Sequence, residues 1–310
     1  MNEKVKIIAP CFNEEAIISE FLDSLEVNLS SLPGDFEVII VNDASYDNTM
    51  TLLKNHNFSK KEIQLTILDL EFNVGHQKAI LQGMLYAHTT DPACDCFVIM
   101  DSDGQDDPAY IKELLQVKDS DVVHVKRGRR QENITFKFFY FLYQMVFLFI
   151  TGKKMDFGNF SRINQKVVRS GLHHGFIHYP SFLSKQKLRF GSIKVDRLKR
   201  LGGASKMNFF SLLQHALRSF IEYAEELLMM SMRFFIFLSI VLVLFGSNVL
   251  YKKIFTDQAI AGWASTILVG LFNGIIVLIS TFFIGALLLK IVSRDKNYRP
   301  TQLYKKVGDQ

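Results

Sequence analysis

The chain has 310 residues, 48% of them hydrophobic and 22% charged, with a mean hydropathy of +0.13. Thirty-six Lys and Arg against 31 Asp and Glu leave a net charge of +5. That mild excess suits anionic headgroups or phosphates, and the lack of a dense basic run or nucleic-acid motif argues against a nucleic-acid partner. The length allows one sizeable core plus further elements, and the apolar content fits a chain that is part soluble and part membrane-embedded.

The three cysteines are Cys11, Cys94 and Cys96. Their one C-x-C lacks a second pair and neighbouring histidines, which argues against a zinc site. An odd, sparse set fits a reducing compartment. The segment Met1 to Ala9 holds no apolar run of signal-peptide length, so the first domain is expected in the cytoplasm.

Val5 to Ala9 reads as a buried strand. Ile18, Phe21, Leu22 and Leu25 give helical spacing to the stretch from Glu15 to Leu29. Pro33-Gly34 marks a turn before a second strand, Phe36 to Val41. A helix over Asn48 to His56, a strand over Leu65 to Leu68 and a helix over Gln77 to Ala87 follow. Cys96 to Met100 is a fourth strand, Pro108 to Val117 a helix with proline in its first turn, and Val122 to Val125 a fifth strand. This alternation predicts an α/β domain with a mostly parallel sheet.

After Arg130 the character changes. Phe136 to Ile150 is almost wholly apolar, short for a span, and suits a membrane interface or a buried helix. Phe209 to Met230 carries Glu222, Glu225 and Glu226 and reads as amphipathic. Phe234 to Tyr251 and Ser265 to Leu289 hold no charge, and each nears the roughly 20 residues a crossing needs. Lys252 and Lys253 follow the first span; Lys290, Arg294, Lys296, Arg299, Lys305 and Lys306 follow the second. This bias predicts both termini on the cytoplasmic side. Trp263 sits at the edge of the second span, where an aromatic belt would place it.

Four strand ends carry polar residues suited to a ligand crevice. Pro10-Cys-Phe-Asn13-Glu14-Glu15 follows the first strand, with Asn13 either facing a ligand or capping the next helix. Asn42-Asp43-Ala-Ser45-Tyr-Asp47 follows the second. There Asp43 could take hydrogen bonds from a nucleobase or ribose, and Asp47 could cap a helix. Asn73-Val-Gly75-His76-Gln77 follows the third, where glycine permits a close backbone turn and His76 reads as structural. Asp101-Ser-Asp103-Gly-Gln105-Asp106-Asp-Pro108 follows the fourth. So many carboxylates in one loop repel one another without a cation, and hard oxygen ligands suit a divalent metal holding a diphosphate.

In this order, these motifs resemble the GT-A glycosyltransferases of family 2. Arg200-Leu-Gly-Gly203-Ala-Ser205-Lys206 resembles the R-x-x-G-x-S-K element of the dolichyl-phosphate mannose synthase and polyprenyl-phosphate glycosyltransferase group. Asn73-x-Gly75-His-Gln is similar to a form common in its bacterial members. The tail from Gly285 through Lys296-Asn-Tyr-Arg299-Pro300-Thr-Gln-Leu-Tyr304 resembles that group's C-terminus. The resemblance implies that Pro10, Asn13, Glu14, Asp43 and Asp101 hold a nucleotide-diphosphate sugar. It implies Mg²⁺ or Mn²⁺ on Asp101, Asp103 and Gln105, with Arg127, Arg129, Arg200, Ser205 and Lys206 on phosphates. The implied reaction is an inverting transfer to a polyprenyl phosphate, undecaprenyl or dolichyl, at the cytoplasmic face of a bacterial inner membrane. Membrane lipids are the surrounding partners, and a homo-oligomer is compatible with the chain.

One departure stands out. Members of the group often carry Gly-Asp-Phe-Arg where this chain has Gly158-Asn159-Phe160-Ser161. The candidate base is thus an asparagine, with Asp156 nearby as a substitute; Asp103, Asn159 and Asp156 form the candidate catalytic set. A phosphomonoester has a second pKa of about 6 and is already anionic at neutral pH. It needs little general-base help, whereas a hydroxyl does. Asn159 therefore fits a lipid-phosphate acceptor.

The expected organisation is a catalytic domain over 1–206 including an interfacial segment at 126–150, amphipathic juxtamembrane helices over 207–232, two spans over 233–291 and a cytoplasmic tail over 292–310. One alternative is a family 2 enzyme acting on a hydroxyl of a glycolipid or polysaccharide. Processive synthases of that kind usually carry Q-x-x-R-W, and here Gly262 precedes Trp263. The other is a non-catalytic membrane scaffold; Asp101, Asp103 and Gln105 argue against it, and Asn159 keeps it open.

Overall fold

The computed structural model describes residues 4–127, 141, 144, 145, 147, 148, 152, 157–195, 220–256, 262–296 and 301–308. Two compact units divide the chain: Met1–Glu222 with Asn297–Gln310, and Tyr223–Lys296.

The first unit is built on an eight-stranded sheet. Its first half runs β1 (Lys4–Cys11), α1 (Ile18–Leu29), β2 (Asp35–Asn42), α2 (Thr49–Asn55), β3 (Ile63–Leu70), α3 (His76–Thr90) and β4 (Phe97–Ile99). A 3₁₀ turn over Pro108–Tyr110 leads into α4 (Ile111–Gln116). Then come β5 (Val122–Arg127), β6 (Phe157–Ile163), α5 (Gln165–His174), α6 (Tyr179–Lys185) and β7 (Phe190–Val195). The order across the sheet is β7-β5-β6-β4-β1-β2-β3-β8, where β8 is Tyr304–Lys306.

Strand β1 shows why both faces are covered. Val5, Ile7 and Ala9 pack in one apolar cluster with Phe21, Leu22 and Leu25 of α1. Ile8 packs in the other with Ala79, Ile80 and Met84 of α3. Alternate residues of a strand point to opposite faces, so a strand buried on both sides reads as a continuous apolar run. Gly83 lets α3 lie close on the sheet, since a Cβ there would run into Ile8 Cγ2 and come within 3.1 Å of Val41 Cγ2. Lys6 is the exception to the apolar pattern. It is buried and paired with Glu37 at 3.2 Å, donating also to Ala87 O and Thr90 Oγ1 at 3.0 and 2.9 Å. A buried charge is tolerable when so partnered.

The sheet is mixed. Strand β6 runs antiparallel to both β4 and β5, and β8 antiparallel to β3. None of β6, β7 and β8 was expected from the sequence. Of residues 292–310, expected as a tail, 292–296 end a helix and Tyr304–Lys306 join the sheet edge. There Gln82 of α3, nearly fully buried, donates to Thr301 O at 2.9 Å and accepts from Leu303 N at 3.0 Å.

The second unit holds α7 (Ala224–Phe255) and α8 (Trp263–Lys296). Residues 224–232, expected within amphipathic juxtamembrane helices, belong to the same helix as the first apolar stretch. Windows in Ala224–Phe255 and Ser265–Leu288 have mean hydropathy 2.5, long and apolar enough to cross a membrane. Of the stretch 136–150, the described residues are helical. Phe147 is buried with its ring 6.2 Å from Phe220, while Phe141, Met145 and Leu148 are exposed at i, i+4 and i+7 spacing.

Candidate active site

Strands β1 to β4 run parallel, so the loops after them meet at one sheet edge, and β1 lies between β2 and β4. Such a switch in strand order opens a crevice at the carboxyl ends. Strand β6 runs the other way, and its pairing of Ser161 with Ile99 brings the start of β6 to the same edge.

The first two loops are laced together. Asn13 Oδ1 accepts from Tyr46 N at 3.0 Å, and Asn13 N donates to Ser45 Oγ at 2.9 Å. Glu14 N donates to Thr49 Oγ1 at 2.8 Å, and Glu15 Oε2 accepts from Asn48 N at 3.0 Å. Asn13 therefore does not cap α1, which starts at Ile18; it sits at φ 53 and fixes the second loop. Asp47 lies one residue before the N-cap Asn48 and accepts from Thr49 N, the first amide of α2, at 3.0 Å. Phe12 and Tyr46 meet edge to face at 5.8 Å and remain exposed, Tyr46 by 85%.

Asp43 is 2% exposed. One of its carboxylate oxygens accepts from Val74 N at 2.7 Å and the other from Gly75 N at 2.9 Å, while Asn73 Nδ2 donates to its carbonyl at 3.1 Å. Gly75 has φ 85, a conformation favourable to glycine, and this turn presents its amide to the carboxylate. Burial pushes the Asp43 carboxyl above its ordinary value, with the two amides and His76 pulling against it. The residue expected on a nucleobase thus also ties the second loop to the third.

In the fourth loop, Asp106 Oδ2 accepts from Asp101 N at 2.9 Å and Asp103 Oδ1 from Gln105 N at 3.0 Å. Ser102 Oγ donates to the carbonyl of Pro10 at 2.8 Å, tying this loop to the end of β1. Asp101 Oδ1 accepts from Asn159 Nδ2 at 2.9 Å and lies 3.0 Å from His76 Nε2. Asn159 Nδ2 also lies 3.0 Å from that nitrogen. Burial pulls the His76 pKa down, but Asp101, with Asp103 and Asp106 behind it, more than offsets this, and the net shift is upward.

Behind Asn159, Ser161 is wholly buried. Its Oγ lies 2.8 Å from Tyr179 Oη and donates to the carbonyl of Asn159 at 2.9 Å. Tyr179 N in turn donates to Gln77 Oε1 at 2.6 Å. The serine that replaces the group's usual arginine thus fills a packed position against α6. Arg162, one residue on, points its guanidinium at Ser120 O, 2.8 Å away.

The structure therefore gathers Pro10, Asn13, Glu14, Asp43, Asp101, Asp103, Gln105 and Asn159 at one edge. Arg127 ends β5. Arg129, Asp156, Arg200, Ser205 and Lys206 lie outside the described residues. His76, read from the sequence as structural, lies with Nε2 3.0 Å from Asp101 Oδ1 and from Asn159 Nδ2, and the third loop's place at the same edge is the sequence feature that bears on this contact. Gln77 and Ser102 lie inside motifs that the sequence singles out, with no role assigned to them there, and Tyr179 had no sequence signal.

Among the described residues, no three His, Cys, Asp or Glu side chains form a metal cage. A Mg²⁺ site at a nucleotide usually needs only one or two carboxylates, with phosphate and water completing the shell. Asp101 and Asp103, two oxygen donors one residue apart in one loop, fit that requirement.

Comparisons with known proteins agree with this geometry. The profile of glycosyl transferase family 2 matches residues 6–191. The chain is 29% identical to the uncharacterized glycosyltransferase YkcC of Bacillus subtilis, over 88% of this chain and 85% of the relative. It is 26% identical to an undecaprenyl-phosphate 4-deoxy-4-formamido-L-arabinose transferase of Klebsiella pneumoniae, over 68% of this chain and 64% of that one. Among solved structures, a glucosyl-3-phosphoglycerate synthase from Mycobacterium tuberculosis, in complex with Mn²⁺, UDP-glucose and phosphoglyceric acid, superposes with TM-score 0.54. It is 12% identical and covers 72% of this chain and 79% of that one, a likeness of fold. With a matching profile over more than half its length and a mostly parallel mixed sheet of the GT-A kind, this chain belongs to glycosyl transferase family 2 and is a glycosyltransferase.

Proposed function

We propose that this glycosyltransferase moves a sugar, with inversion, from a nucleotide-diphosphate sugar to a polyprenyl phosphate at the cytoplasmic face of a membrane. The observation that carries the reading is Asn159 at the position of the group's usual aspartate, 2.9 Å from Asp101 and half-buried in the site. An amide cannot act as a general base at neutral pH. A phosphate acceptor arrives with its attacking oxygen already ionised and asks for none.

The nucleoside would lie across the first two loops, which Asn13, Glu14, Ser45 and Thr49 hold in register, with Asp43 tying the second loop to the third. Asp101 and Asp103 would hold Mg²⁺ or Mn²⁺ beside the diphosphate. When bound, that cation supplies charge neutralisation of the leaving nucleoside diphosphate. The chain's own part is to preset the carboxylates before substrate arrives, which lowers the reorganisation needed in the transition state. Arg127, Arg129, Arg200, Ser205 and Lys206 would meet acceptor or donor phosphates.

Support for a lipid acceptor comes from the two apolar helices, from the exposed face Phe141, Met145 and Leu148, and from the undecaprenyl phosphate in the name of the Klebsiella relative. Strands β1 and β8 join one sheet although the two helices separate them in the chain, so helices that cross must cross an even number of times. That supports a reading in which the catalytic unit and the residues after α8 share the cytoplasmic side.

Incubating purified protein with a panel of nucleotide sugars and polyprenyl phosphate, with Mn²⁺ or with chelator, tests the reading. The expected result is a glycosyl-phosphoryl-polyprenol identified by mass spectrometry and abolished by chelator. Transfer that persists undiminished in excess chelator would overturn the metal, and hydrolysis without a lipid product would overturn the acceptor.

A further inference from the structure

We infer that Asn159 is a positioning residue that acts through Asp101, holding one oxygen of a carboxylate assigned to the cation rather than handling the acceptor; this rests on the proposed reaction. The contacts around it close a circuit through the main chain of Asn159, the body of Tyr179 and the His76–Gln77 link. Asp101 Oδ1 takes the amide of Asn159 at 2.9 Å. The main-chain carbonyl of Asn159 takes the hydroxyl of Ser161 at 2.9 Å, and Ser161 Oγ lies 2.8 Å from the buried Tyr179 hydroxyl. Tyr179 N donates to Gln77 Oε1 at 2.6 Å, and the preceding residue, His76, returns to Asp101 Oδ1 at 3.0 Å.

Three features make this more than a local contact. The amide sits on a strand, and its reach is set by the pairing of Ser161 with Ile99, two residues from Asp101. Sheet register holds geometry more tightly than a loop does. The contact goes to Oδ1 of Asp101, in a loop where Asp103 and Asp106 also each accept a backbone amide through one oxygen. An aspartate at 159 would instead set a second carboxylate about where the amide nitrogen lies, 2.9 Å from Asp101 Oδ1. Two anions that close need a proton or cation between them. Asparagine supplies the donor with no added charge, and Ser161 leaves room for the buried tyrosine that closes the circuit.

The test measures cation binding without acceptor and without turnover. Mn²⁺ binding to full-length protein in detergent, in the presence of UDP and, in parallel, of GDP, is followed from the electron paramagnetic resonance signal of the free ion. Asn159→Leu, with the same branching and number of side-chain heavy atoms but no donor, is expected to weaken Mn²⁺ by about 10-fold, the loss of one charge-assisted hydrogen bond. Asn159→Gln keeps a donor and is expected to fall between that variant and wild type. Tyr179→Phe, which breaks the circuit away from the cleft, is expected to weaken Mn²⁺ by about 3-fold. Wild-type Mn²⁺ affinity in a folded Asn159→Leu protein overturns the inference and leaves the proposed reaction standing. If that variant does not fold, unchanged affinity in Tyr179→Phe overturns it instead. No Mn²⁺ binding by wild type overturns the cation reading, and this inference with it.

Discussion

Asp43 and Asp103 are both carboxylates at the same sheet edge, and the structure gives them opposite expected behaviour. Asp43 accepts two backbone amides in a buried position, so Asp43→Asn would turn an amide N–H toward Val74 N or Gly75 N. The expected loss is about 1–3 kcal/mol of unfolding free energy, read by thermal or denaturant unfolding. Asp103 accepts the amide of Gln105, two residues on in its own turn, a contact that ties no second loop to the sheet. Asp103→Ala is expected to lower transfer by more than about 100-fold, as removal of a charge-stabilising group does, while shifting stability by under about 1 kcal/mol. A fully active Asp103→Ala enzyme would remove Asp103 from the chemistry. The sequence revealed Asp101-x-Asp103 because its signal is local: an apolar strand stopping in a carboxylate cluster. It could not reveal that Asp43 meets Val74 and Gly75, or that Asn159 meets Asp101, because those contacts depend on strand pairing between segments distant in the chain.

Elements were legible where apolar period and turn residues agreed, as in β1 to β5 and α1 to α3. Strand β6 escaped because Gly158, Asn159 and Ser161 break its apolar run. Strand β7 alternates between exposed and half-buried residues at the sheet edge, and β8 looks like a basic tail because Lys305 and Lys306 lie in it. Two tests belong at this scale. Gly83→Ala is expected to destabilise the sheet unit by about 1–3 kcal/mol, because overpacking against Ile8 and Val41 exceeds the gain in helix propensity of about 1 kcal/mol. Unchanged unfolding would show that α3 can shift away. Asp121, at the start of β5, accepts from Arg189 N at 2.9 Å and from Asn164 Nδ2 at 3.0 Å. The Arg189 amide, opposed by burial and aided by the Arg189 side chain and Asn164, holds its carboxyl below the ordinary value. A depressed carboxylate contributes fully above its unfolded pKa, near 4, and the contribution disappears as pH falls through the lower folded value. Melting temperature is therefore expected to fall below about pH 4, less steeply in Asp121→Asn than in wild type. Equal slopes would refute this linkage.

At the scale of the whole molecule, the chain leaves its sheet through α7 and returns to it as β8. The proposed topology puts the connection between α7 and α8 on the far side of the membrane. Thr256→Cys is expected to react with an impermeant thiol reagent on intact cells, whereas Lys305→Cys is expected to react only after permeabilisation. The native cysteines are buried and give a low background. Labelling of Lys305→Cys from outside would contradict a cytoplasmic catalytic unit. The central claim is that a phosphate oxygen, and not a hydroxyl, attacks the sugar. Its most direct test is a comparison of initial rates on polyprenyl phosphate and on the same polyprenol without its phosphate, at equal concentration with one nucleotide sugar and Mn²⁺. The account predicts transfer to the phosphate alone, insensitive to pH above about 7, where the phosphate is fully ionised. Comparable or faster transfer to the free polyprenol would contradict it and make a hydroxyl the acceptor.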